Sequence, residues 1–188
     1  AKGVEAQTIK LMDVCRLRDT PITTFMNKFD REALDPFALL DNVETILNIQ
    51  CVPLTWPVGS GVDFKGVYDL RTRKIRSFKN SPDPENPQVL DASDLQAAAL
   101  LEVIGEGPLE KLKEDLKMIE ELIPPLSPDE YLAGIQSPVF FGSALHNFGV
   151  KETLDFMAGN APGPKSREVK LPPYDAQAEV KTINPEDN

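Results

Sequence analysis

Apolar residues recur at helical and strand periods in separate blocks of this chain, and those periods set out its elements. Val4, Thr8, Leu11, Cys15 and Leu17 fall near helical spacing and predict a helix over 4–18. "PITTFMN" (21–27) is dense in β-branched and aromatic residues and predicts a strand. In "LDPFALLDNVETILNI", Asp35 takes the N-cap and Pro36 the first helical position, while Phe37, Leu40, Val43 and Leu47 line one face. Helix, strand and helix in this order predict a parallel sheet with covering helices.

The pattern changes at Gln50. "CVPLTWPVG" predicts a strand bounded by prolines, and "DFKGVYDLRTRKIRSFK" predicts a hairpin. Val67 and Leu70 lie on one arm, Ile75 and Phe78 on the other, with the turn at 71–74. "NSPDPENPQ" (80–88) reads as a loop. Two helices are expected next: "DLQAAALLEVIG", capped by Ser93, and "PLEKLKEDLKMIEELI", opened by Pro108. Leu109, Leu112, Leu116, Ile119 and Ile123 form an apolar stripe on the second. Ser127 and Glu130 stand at capping-box spacing. "PVFFGSAL" (138–145) is nearly all apolar, as a strand covered on both faces would be. "GVKETLDFMAG" predicts a short helix, and the Pro-rich remainder reads as a linker or tail.

The predicted fold class is therefore α/β. A parallel piece (1–49) is interrupted by an inserted α+β subdomain (50–126), resumes over 127–160, and is followed by a linker (161–188).

Charge refines this outline. The net charge is −10, and residues 83–130 hold thirteen acids against three lysines, the whole of that excess. Such a balance argues against coating nucleic acid and favours a basic protein partner. The two cysteines, Cys15 and Cys51, lack paired spacing and read as buried free thiols of a reducing compartment. A single histidine excludes a His/Cys zinc site. No apolar run approaches membrane-span length and the first residues lack a signal-peptide core, so a cytoplasmic protein is expected.

Chemistry enters at "FMNKFDRE". Asn27-Lys28-x-Asp30 follows a predicted strand, and in open parallel sheets ligands bind beyond the carboxyl ends of strands. A carboxylate at Asp30 can accept from guanine N1–H and N2–H2 together, a donor pair that adenine lacks. Asn27 suits the base N7 region and the tying of neighbouring loops. Lys28 can lay its alkyl stem along the flat base. "GSAL" also ends a strand, and a backbone N–H at Ser143–Ala144, followed by Leu145, could donate to guanine O6. Each segment also fits an ordinary surface turn. Their joint order, two strand ends separated by one interrupted crossover, is what singles them out. No Gly-rich phosphate loop occurs in the chain.

With these residues in hand, the phrases "CRLRDTP", "FMNKFDR", "PLTWPVG", "FKGVYDL" and "PVFFGSALHNFGV" resemble the class II bacterial peptide chain release factors, translational GTPases of the elongation factor G-like superfamily. The resemblance runs to about Ala161 and is loosest over 80–125. It implies that "NKFD" is the fourth guanine-nucleotide motif and "SAL" the fifth. Asn27, Lys28, Asp30, Ser143, Ala144 and Leu145 would then bind guanine. It also implies a parent that binds GTP and GDP with Mg2+ and hydrolyses GTP on the ribosome in translation termination, recycling the codon-reading release factors.

On this resemblance the phosphate loop, switch regions and Mg2+ ligands are expected upstream of Ala1 and a further domain after Asn188. The chain is expected to be a fragment comprising the C-terminal half of a GTPase domain, inactive alone and prone to self-association along the open edge of strand 21–27. The alternatives are an elongation factor G-like translocase, a ribosomal protection protein, or a non-enzymatic module binding the ribosomal stalk protein. The acids Glu110, Glu114, Asp115, Glu120 and Glu121 form either a docking face for the stalk protein or a solvated face. Lys65, Arg71, Arg73, Lys74 and Arg76 either touch ribosomal RNA or guard a sheet edge. His146 is expected in a partly exposed turn, with no catalytic part.

Overall fold

The computed structural model describes residues 3–18, 20–77, 87–164, 166–170 and 180–185. The first helix, α1 (Ala6–Arg16), is followed by β1 (Thr24–Met26) and α2 (Pro36–Leu47). Asp35 caps α2 through its carboxylate, which accepts from the Phe37 and Ala38 amides at 3.0 and 3.2 Å. At the other end Asn48 turns left-handed, and Arg16 of α1 donates to the carbonyls of Leu47 and Asn48. A guanidinium there satisfies carbonyls that the helix leaves open and complements its dipole.

β2 (Gln50–Pro53) and β7 (Gln136–Phe141) complete a parallel sheet of order β1-β7-β2. β7 runs down the middle and all six of its residues are buried. That agrees with its unbroken apolar sequence. The α/β class read from the sequence is the observed one. The position of β2 is a correction. "CVPLTWPVG" is two strands, and its first half pairs with β7 in the parallel sheet. The chain bends at Leu54, and only β3 (Thr55–Val58) enters the inserted sheet.

That second sheet is antiparallel, of order β3-β4-β5-β6, with β4 at Gly66–Asp69, β5 at Lys74–Ser77 and β6 at Gln88–Asp91. The expected hairpin is its centre, with the turn one residue earlier, at Leu70–Arg73. Phe78 and residues 80–86 of the expected loop lie outside the described residues. Gln88, expected in that loop, starts β6.

Two helices cover this sheet, α3 (Ala98–Ile104) and α4 (Glu106–Leu122). Ser93 does not cap α3, because its amide and hydroxyl are both committed to Asp91 Oδ1, at 2.9 and 2.7 Å. The helix starts after Ala97 instead. Pro108 sits within the first turn of α4, where its missing N–H costs nothing. The predicted stripe packs inward, with Leu109, Leu112 and Ile119 buried and Leu116 and Ile123 partly so.

α5 (Pro128–Leu132) and α6 (Val150–Asn160) flank β7 in sequence. Ser127 caps α5 by accepting from Glu130 N, while the Ser127 amide goes to Gln136 Oε1 at 2.7 Å. A glutamine from the next strand thus fills the second half of the capping box. The segment expected as a linker or tail contains an antiparallel strand pair, β8 (Arg167–Lys170) with β9 (Val180–Ile183).

One apolar core joins both sheets. The Trp56 ring packs on Phe37 of α2 at 4.7 Å and on Phe141 of β7 at 5.1 Å, and its Nε1 donates to Asp115 Oδ2 at 2.9 Å. Asp115, counted from sequence among the acids of an outer face, is buried and also pairs with Lys111 at 2.9 Å. An aspartate one turn from a lysine and facing an indole N–H satisfies its charge inside the protein. Arg76 of β5 likewise reaches Glu152 of α6, tying the inserted sheet to the last helix. Arg71 pairs with Asp69 at 3.1 Å and lies over the Phe140 and Phe156 rings. Two of the basic hairpin's cations are therefore spent inside the molecule.

Both cysteines are free. Cys51 is buried, and burial pushes its thiol up to about 12. Cys15 is only half-buried, less enclosed than the sequence suggests. No helix among the described residues is long and apolar enough to cross a membrane.

Candidate functional site

β1 and β7 are adjacent and parallel, with Met26 opposite Phe141, so the loops leaving them emerge side by side. Backbone bonds fasten the two exits: Gly142 N–H donates to Met26 O at 3.0 Å, and Phe29 N–H donates to Gly142 O at 3.1 Å. A Cβ on Gly142 would stand 1.9 Å from Phe148 O, so only glycine allows this approach.

Asn27 is the joint between the loops. Its Oδ1 accepts from Lys28 N at 2.7 Å and from Ala144 N, 117 residues away, at 2.9 Å. The structure thus brings "NKFD" and "GSAL" together in one place. Lys28 holds a left-handed backbone (φ 74°) and its side chain is exposed. For a lysine that conformation is strained by roughly 1–3 kcal/mol and is kept only where the surroundings fix it.

Asp30 sits between the loops with its side chain 16% exposed. Its carboxyl is held below the usual range, chiefly by the Ser143 hydroxyl, with the loop backbone, His146 and Arg31 acting the same way and burial opposing them. The Ser143 oxygen itself is buried without a hydrogen bond of ordinary geometry. The Asp30 carboxylate is 3.8 Å from His146 Nε2 and 3.9 Å from Arg31 Nε. The charged Asp30 carboxylate, with the Ser143 hydroxyl turned to it as a donor, keeps acceptor capacity for further N–H groups.

Two features differ from the sequence expectation. The Ser143 N–H is taken by Phe148 O at 3.0 Å and the Ala144 N–H by Asn27 Oδ1, so neither amide stands unbonded toward an incoming base. His146 does lie in an exposed turn, but beside Asp30 and stacked on Phe148, an association its sequence position does not reveal. Sequence reasoning also missed Gly61, whose N–H donates to Phe29 O at 3.1 Å. Leu145 is 73% exposed, an uncovered apolar side chain at the site's rim.

A cavity of about 690 Å³ opens between α1 and β1, lined by Leu11, Met12, Cys15 and Phe25 and reaching Asn27 and Lys28. Among the described residues no group of three or more His, Cys, Asp or Glu could hold a metal ion.

Comparison with known proteins places this arrangement. The crystal structure of ttk003000868 from Thermus thermophilus is similar in fold, with a TM-score of 0.59 at 20% identity over 86% of this chain. The chain spans 25% of that protein's length. The Elongation factor Tu GTP binding domain family matches residues 1–163, which takes in both strand-end loops and everything between them. The three-stranded parallel sheet is accordingly part of a P-loop-GTPase-type sheet, and the chain belongs to the Elongation factor Tu GTP binding domain family.

Proposed function

We propose that this chain is the guanine-recognition half of a translational GTPase that acts on the ribosome in translation termination, recycling codon-reading release factors. The observation that carries guanine recognition is the double acceptance by Asn27 Oδ1, which fixes two distant loops beside the Asp30 carboxylate. With its oxygen so used, the Asn27 amide NH2 is left for base N7. Asp30 accepts from N1–H and N2–H2. The Ala144 N–H is shared between Asn27 and guanine O6 as a three-centre bond. Lys28 covers one face of the ring, and Ser143 and Leu145 bound the pocket. GTP or GDP is the ligand, with only its base held here. Mg2+ belongs with the phosphates, and nothing in these residues is assigned to it. The cytoplasm is the compartment that such work requires.

The termination role rests on the phrase-level resemblance to class II release factors, against an elongation factor G-like translocase or a ribosomal protection protein. A stalk-protein-binding module is the reading from another class. Its support is the outer face of α4, where Glu110, Glu114, Glu120 and Glu121 remain exposed. Labelled GDP and purified stalk protein, titrated separately against the chain, discriminate the two.

Because no phosphate loop occurs in the 188 residues, GTP hydrolysis is expected to match buffer alone. A single-turnover assay with added ribosomes checks this, and a burst of phosphate would sink it. Self-association through the edge of β1, which pairs with β7 on one side only among the described residues, or fraying around residues 1–20, is a further expectation, since unpaired strand edges recruit partners. Light scattering should give a mass above the 20.8 kDa of one chain, or hydrogen exchange should be faster in residues 1–27 than in 108–123, and a monomer equally protected in both would refute it.

A further inference from the structure

The inserted sheet reaches the base site through the segment joining β3 to β4, and it makes two distinct contacts there. One is the Gly61 N–H to Phe29 O bond. The other is a stack: the Phe64 ring lies 5.3 Å from Phe148 at 30°, and Phe148 lies 5.6 Å from His146, again at 30°. His146 Nε2 is 3.8 Å from Asp30 Oδ2. Three rings, each tilted 30° to the next, therefore run from the insert to the carboxylate.

The middle ring is firmly coupled to the loop that it sits on. Phe148 exchanges backbone hydrogen bonds with Ser143 in both directions, at 2.9 and 3.0 Å. Gly142 lies against the Phe148 carbonyl with no room for a Cβ. A shift of the Phe148 ring that carries its backbone along moves Ser143, the residue beside the Asp30 carboxyl. Phe64, half-buried, is a residue that the insert brings to this stack among the described residues.

We infer that Phe64 is a positioning residue of the base site. Its ring sets the place of Phe148, and through it the 142–148 loop that faces Asp30. The inference deepens the guanine reading above and rests on it for its functional consequence. The geometry separates ring stacking from mere burial. Phe64→Leu keeps the apolar volume and loses the flat face, whereas Phe64→Tyr keeps the ring. An aromatic pair is worth a few-fold in an equilibrium, so Phe64→Leu should raise the GDP dissociation constant by about three- to tenfold while Phe64→Tyr leaves it near the parent value.

A second readout needs no nucleotide. Amide exchange at Ser143 and Ala144 should quicken in Phe64→Leu, and the Gln50 amide, bonded to Ile135 O at 3.0 Å in the far strand, should not. Leu90→Ala, in the same inserted sheet, controls for a general loss of stability and should leave the loop amides protected. Unchanged Ser143 and Ala144 exchange in Phe64→Leu, or equal losses in Phe64→Tyr, would overturn the assignment. Absence of GDP binding by the parent chain would instead count against the guanine reading, and the exchange measurement would still decide whether Phe64 positions the loop.

Discussion

Replacing Asp30 with Asn is expected to weaken GDP binding by about a hundredfold, the worth of one hydrogen bond to a charged acceptor. The substitution keeps size and shape but turns one acceptor into a donor that faces guanine N1–H or N2–H2. Two donors then oppose each other at a largely buried side chain, and one goes unsatisfied. Xanthine carries an oxygen at C2 in place of the amine, and that oxygen accepts from the new amide. Preference should therefore shift toward xanthosine diphosphate. The parent carboxyl is held below its usual range by Ser143 and its other neighbours, so it stays charged at any pH used for nucleotide assays. Competition among GDP, xanthosine diphosphate and ADP reads the effect. If guanine preference is the same in both proteins, Asp30 does not read the base.

Removing Arg76 is expected to cost about 3–5 kcal/mol at neutral pH, because it strands a buried carboxylate. Glu152 is 4% exposed and its partner is Arg76. Burial raises the Glu152 carboxyl above its ordinary value, Arg76 pulls it down, and Asp69 and Asp155 push it up. An acid raised in the folded state binds its proton more tightly there than in the unfolded chain. Its effect on stability is therefore most favourable below the ordinary value of 4.5 and declines as pH rises through the folded one. Without Arg76 the folded value rises further, and the decline is deeper and reaches to higher pH. The difference in stability between Arg76→Ala and the parent should thus be large at pH 7 and shrink toward pH 4.5. Adding Glu152→Gln should restore much of the loss. Urea unfolding of all three proteins at both pH values tests this, and a pH-independent difference would show that Arg76 acts through packing alone.

What the sequence disclosed, it disclosed where local chemistry and burial agree. Asp35-Pro36 marks a helix start in any context, and the structure uses both residues that way. β7 was legible because a strand buried on both faces is apolar throughout. The pairing of "NKFD" with "GSAL" followed from strand ends in a parallel sheet, which needs no side-chain detail. The boundary at β2 was hidden for the same reason that β7 was plain. Residues 51–58 are all buried, so no polar position marks where the chain passes from one sheet to the other. β6 lies at an edge with a mostly exposed face, and so lacks the alternation that betrays a strand. Asp115 looked like its acidic neighbours on α4, because the indole N–H that draws it inward comes from 59 residues away. The His146–Phe148–Phe64 stack likewise joins segments that only the fold brings together.

The central claim is that the loops after β1 and β7 together bind a guanine base. Titrating the 15N-labelled chain with GDP and, separately, ADP tests it most directly, since amide shifts report weak binding residue by residue. The account predicts that GDP moves the amides of Asn27–Asp30 and Ser143–Leu145 in a saturable way and that ADP does not. Shifts from ADP at the same residues, or a GDP response confined to other parts of the chain, would contradict it.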